Sequence, residues 1–197
     1  MKFRNGLFGF SLLLISSPAF AHVDPSEHGS FAAGFTHPVF GLDHVLAMIA
    51  VGLWAALLAG KAVLALPTAF VGSMVIGFGL ALVGVSFPMV EPVILTSVVA
   101  LGVLVALAAR FPLVISVLIV GAFGMFHGHA HGGEIGTATE LSYAAGFILA
   151  TAILHAVGVL IGYGTKVGLG NNERIGELIT RGLGGVTALI GLTLFAG

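Results

Sequence analysis

Residues 112–134 read PLVISVLIVGAFGMFHGHAHGGE, an unbroken apolar run that closes on His127, His129, His131 and Glu134. At about 1.5 Å per residue in a helix, roughly 20 residues cross a hydrocarbon core about 30 Å thick, and residues 112–131 supply that length. A helix is the way such a segment keeps its backbone hydrogen bonds satisfied in lipid. A second stretch, HPVFGLDH at residues 37–44, stands at the entrance of another apolar run. Ionisable side chains at membrane depth are costly and are usually kept for function. Imidazole and carboxylate together form a ligand set suited to first-row transition metals. The two stretches therefore point to a membrane protein that handles a metal ion.

The rest of the chain agrees with that class. Of its 197 residues only 8% are charged, 58% are hydrophobic and 30 are glycine. Mean hydropathy is +1.15. A soluble domain needs far more charge to cover its surface. The absence of cysteine excludes disulfides, iron–sulfur clusters and thiolate metal sites, so any metal ligands are nitrogen, oxygen or methionine sulfur. A formal net charge of −1 offers no basis for nucleic-acid binding. Six apolar segments, near 38–59, 63–86, 89–109, 112–131, 141–164 and 177–196, predict an all-α polytopic membrane protein with six transmembrane helices.

Ahead of them, Lys2 and Arg4 precede the apolar run Leu7 to Ile15, and Ala19-Phe20-Ala21 forms an A-x-A cleavage pattern. This reads as a secretory signal peptide over residues 1–21. The expected organisation is then a periplasmic segment, 22–37, carrying His22 and His28, and a membrane domain, 38–197. With the mature N-terminus outside, Lys61, Arg110, Lys166 and Arg174 all fall in cytoplasmic connections, as the positive-inside rule requires. Both histidine stretches then face the periplasm of a bacterial inner membrane, and both mature termini are periplasmic.

On a helix, residues three, four and seven apart share a face. His37, Gly41, His44 and Met48 are expected to form such a stripe, with Pro38 in the first helical turn and His37 at its entrance. Asp43 would offset the partial positive charge of the helix N-terminus and supply charge for a divalent ion. His127 and His131 share a face, with Glu134 beyond them, whereas His129 points elsewhere. His155, about 14 residues or roughly 21 Å inside the fifth span, is either a packing residue or an inner station on a pathway. Asp43 with His44 has its own structural alternative, a buried pair that fixes helix packing, and His22 and His28 are readable as merely solvated. The pairs Gly77/Gly84, Gly128/Gly132 and Gly158/Gly162 are expected at helix contacts.

The stretch His37-Pro38-x-x-Gly41-x-Asp43-His44-x-x-Ala47-Met48-x-x-Val51-Gly52 resembles a signature of the HupE/UreJ family of hydrogenase and urease accessory membrane proteins. Phe126-His127-Gly128-x-Ala130-His131-Gly132-x-Glu134 resembles its second signature, and Ala150 to Gly158, with His155, its fifth-span pattern. The resemblance implies a secondary permease importing Ni2+, with Co2+ as a second candidate cargo, for hydrogenase or urease maturation. It implies no resident cofactor and no enzymatic activity, with cytoplasmic nickel chaperones as partners. By it, His37, Asp43, His44, His127, His131 and Glu134 are candidate metal-binding residues; the residues themselves add His22, His28, His129 and His155 as secondary candidates. No Walker A sequence and no H-E-x-x-H helix is present. Two other functions stay open at this point: a metal-binding accessory or sensor subunit without transport, and a b-type haem protein.

Overall fold

Glycine and proline punctuate the apolar sequence, and the helices begin and end near them. A computed structural model describes residues 31–132, 140–167 and 173–196. Among these residues the chain forms seven helices and no strand: α1 (Phe31–Phe40), α2 (Leu42–Leu58), α3 (Ala62–Leu82), α4 (Val90–Ala106), α5 (Leu113–Gly132), α6 (Glu140–Val167) and α7 (Glu173–Ala196). The signal peptide, His22, His28 and Glu134 lie outside the described residues.

The first expected span is not one straight helix. His37 and Pro38 lie inside α1, and the chain breaks at Gly41, whose ψ of 111° is extended. α2 leaves that break bent by 79° from α1. Glycine disfavours helix continuation, and at 41 it also leaves room: a β-carbon there would stand 3.1 Å from His44 Nδ1 and 3.2 Å from Asp43 Oδ1. The sequence-expected helical stripe from His37 to Met48 is thus replaced by two helices meeting at a corner.

The helices α3, α5, α6 and α7 are each long and apolar enough to cross a membrane, and α1 with α2 qualifies as a fifth, bent span. The 17 residues of α4 make it a shorter apolar helix. The chain is a multi-pass membrane protein. Its centre is α2, buried along nearly its whole length through Ala47, Met48, Val51, Trp54 and Ala55. A helix that is apolar all round has no face to give to water and belongs inside.

Backbone-to-backbone contacts at glycine lock the helices in pairs. A β-carbon on Gly128 would overlap the Met74 carbonyl, and one on Gly77 the Met125 carbonyl, so α3 and α5 run parallel in direct contact. Gly52 and Gly158 do the same between α2 and α6, as do Gly34 and Gly146 between α1 and α6. Gly102 and Gly184 join α4 to α7. Small residues allow this close approach, which is the main source of helix association in lipid. Gly84 departs from expectation: nothing lies within 4 Å of a β-carbon there, and its φ of +80° serves the turn that ends α3.

At the end of the bundle where Lys61, Arg110 and Arg174 collect, two side chains satisfy carbonyls left open by the C-terminus of α4. Trp54 Nε1 donates to Ala109 O at 2.8 Å, and Arg181 Nε donates to Ala106 O at 2.8 Å. Glu177 lies 3.7 Å from Arg110 and 3.9 Å from Arg181. The two histidine stretches meet at the opposite end.

Candidate metal site

The corner at Gly41 turns His37, from α1, and His44, from α2, toward the last turns of α5. His37, His44 and His131 each offer a ring nitrogen, and these three atoms lie within 4.8 Å of one another. His44 Nε2 and His131 Nε2 stand 2.7 Å apart. The His37 ring packs edge-on against both, with centroids 4.4 Å from His131 and 5.4 Å from His44. Two ligands at right angles on one metal, with bonds of about 2.1 Å, are separated by about 3 Å. A small outward shift of the two Nε2 atoms therefore admits an ion.

Asp43 acts from behind this cluster. Its Oδ1 stands 3.0 Å from Nδ1 of His44. The contact is close enough for charge to act but is not aligned as a hydrogen bond, so Asp43 places its negative charge beside the His44 ring, on the side away from Nε2. Because α2 begins anew at Leu42, Asp43 sits in its first turn, where negative charge offsets the helix dipole. His44 and His131 are each 4% exposed, so they are held in a largely dry site. Phe147 of α6 walls it, its ring 4.7 Å from that of His131 and 6.1 Å from that of His44.

One turn deeper, His127 is fully buried, with its ring 5.0 Å from that of His44. Ser97 of α4 orients it. The Ser97 hydroxyl donates to Ile94 O at 2.6 Å, so its oxygen, 3.0 Å from His127 Nε2, accepts the Nε2 proton. Nδ1 of His127 is left as a buried lone pair with no partner among the described residues. This nitrogen is free to act as a ligand, since burial without a partner is otherwise unfavourable.

His129 stays apart, as the helical spacing implied. Its Nε2 lies 2.6 Å from Val85 O, and its ring stacks on Phe87 with centroids 4.2 Å apart. It ties α5 to the turn after α3. His155 lies deeper, on α6, and Phe70 packs against both His127 and His155 at 5.3 and 5.1 Å. Ser97 and Phe147 escaped the sequence reading. A hydroxyl inside an otherwise apolar span is a usable signal for the first, whereas nothing marks Phe147 among so many apolar residues.

A family model described as HupE / UreJ protein matches residues 10–194. The chain belongs to the HupE/UreJ family. Among relatives, Protein HupE of Rhizobium leguminosarum bv. viciae is 40% identical over 200 residues, spanning 100% of both chains. No solved structure matches the chain. The imidazole cluster of this HupE/UreJ chain is thus assembled from both of its polar signatures, 87 residues apart.

Proposed function

We propose that this chain is a secondary permease of the bacterial inner membrane that takes up Ni2+, with Co2+ as a second candidate cargo, from the periplasm. The observation that carries this reading is the cluster of His37, His44 and His131 with Asp43 behind it, at the end of the bundle away from Lys61, Arg110 and Arg174. Nitrogen-rich sites suit late first-row divalent ions, and membership of the HupE/UreJ family supports a hydrogenase or urease context. With the positive end inside, the cluster is the entrance. Glu134, His22 and His28 are placed by the sequence on the same side, as supplementary ligands near the mouth. Cytoplasmic nickel chaperones would receive the ion.

No ATP-binding motif is present, so the membrane potential drives entry. A divalent ion moving inward through 100 mV gains about 4.6 kcal/mol, from about 2.3 kcal/mol per charge. That supports accumulation of over about a thousandfold.

Purified full-length protein in proteoliposomes, with an inside-negative potential, is expected to take up nickel in competition with cobalt. His44→Ala should abolish this. Nickel binding in detergent without any uptake would instead establish a metal-binding accessory subunit. The haem alternative loses support from the geometry. Axial nitrogens on opposite sides of an iron stand about 4 Å apart, twice a metal–nitrogen bond of about 2 Å, whereas those of His44 and His131 are 2.7 Å apart.

A further inference from the structure

Among the described residues, His155 is the one histidine of the bundle interior that the entrance site does not use. It is fully buried, and neither ring nitrogen has a hydrogen-bond partner among those residues. A neutral imidazole carries one donor and one acceptor, and leaving both unmatched in an apolar interior is costly. A packing residue at this position would be better served by leucine or phenylalanine, so the imidazole has a use that the unliganded protein does not display.

Its neighbours suggest that use. On α6, Thr151 stands one turn toward the entrance on the same face. The Thr151 hydroxyl points to Met74 Sδ at 3.8 Å. On α3, Phe70 and Met74 are likewise one turn apart, and Phe70 packs against His155 with centroids 5.1 Å apart. The meeting of α3 and α6 therefore places an imidazole, a hydroxyl and a thioether together, deep in a helix bundle. Imidazole and thioether are nitrogen and soft sulfur ligands that accept late first-row metals.

The position along the path is also specific. The Phe70 ring touches both His127 and His155. Beyond His155, toward the Lys61 end, α3 and α6 separate around a groove of about 500 Å³ that reaches His155 and is otherwise walled by residues such as Leu64, Pro67, Val71 and Leu160. Apart from the Thr68 hydroxyl those walls are apolar, so among the described residues His155 is the strong metal ligand of this lining.

We propose that His155, with Met74 and Thr151 one turn above it, forms an inner transit site that receives the divalent ion from His127 past the Phe70 ring. The inference rests on the permease reading, and it assigns His155 as a second binding position and not as part of the entrance site.

The test uses full-length protein carrying His155→Leu or His155→Met, both of which fill the apolar space, while only methionine keeps a metal ligand. Nickel uptake into proteoliposomes and equilibrium nickel binding in detergent are measured on each. The expected result is at least a tenfold loss of uptake in His155→Leu, with binding at the entrance cluster retained, and substantial recovery in His155→Met. Uptake by His155→Leu within twofold of the unaltered protein overturns the inner site. Equal loss in both variants, in protein that still binds nickel at the entrance, overturns the ligand role. If either variant fails to bind nickel at the entrance, His155 serves the fold and the inner site is likewise overturned. Absence of uptake by the unaltered protein sinks the permease reading itself, a result distinct from all of these.

Discussion

Nε2 of His44 and Nε2 of His131 lie 2.7 Å apart, one at the start of α2 and the other at the end of α5. Without a metal, one of the two must carry a proton that the other accepts, and an ion binding here has to displace that proton. Replacing either residue dismantles the same site. His44→Ala and His131→Ala are each expected to reduce nickel affinity by at least about tenfold, and the double variant should be no worse than the more affected single one. Additive losses, measured by isothermal titration on folded protein, would mean two independent sites.

Asp43 touches the cluster at His44 Nδ1, 3.0 Å from its Oδ1. Asp43→Asn keeps the shape and loses the charge, so nickel affinity should fall by about 10- to 100-fold, the usual consequence of losing a carboxylate behind a ligating histidine. Unchanged affinity in Asp43→Asn would show that the carboxylate tunes nothing.

Competition between protons and metal gives the pH dependence a definite sign. Neutral imidazole binds the ion and imidazolium does not, so uptake should decline as external pH is lowered from about 7.5 towards about 5. Uptake that is level, or rises, over that interval at constant potential would contradict imidazole as the entrance ligand.

The glycine contacts predict stability. Gly128→Ala pushes a methyl group into the Met74 carbonyl and should cost about 1–3 kcal/mol. Gly72→Ala, where nothing lies within 4 Å, should be neutral or slightly stabilising. The single tryptophan, Trp54, buried in α2, reports unfolding by fluorescence for both. Equal melting temperatures for the two variants would refute close packing at Gly128.

Orientation is checked with introduced cysteines, since the chain has none of its own. A cysteine replacing Glu91 should react with an impermeant maleimide in intact spheroplasts, and one replacing Lys61 should not. The reverse pattern would turn the entrance cluster toward the cytoplasm.

Much of the site was legible because its residue types are rare in apolar sequence. His37, His44 and His131 stand out against their neighbours, and the i, i+4 spacing correctly separated His127 and His131 from His129. The corner at Gly41 was not legible, because a glycine followed by an apolar run fits a continuous helix as readily as a break. Ser97, which sets the proton on His127, and the pairing of α3 with α5 depend on contacts between distant segments, to which helical periodicity is blind. The proline at 38 misled for a related reason: its preference for a first turn is statistical, and the packing of α1 against α6 outweighed it.

The glycine-locked pairs divide the ligands unevenly. His37, His44 and His155 ride on the body made of α1, α2 and α6, whereas His127, His131 and Met74 ride on the body made of α3 and α5. The contacts of His131 and His127 with His44, and of Met74 with Thr151, therefore all cross one seam. A rocking of the two bodies by an ångström would leave each glycine contact intact and yet change the grip on an ion at both depths.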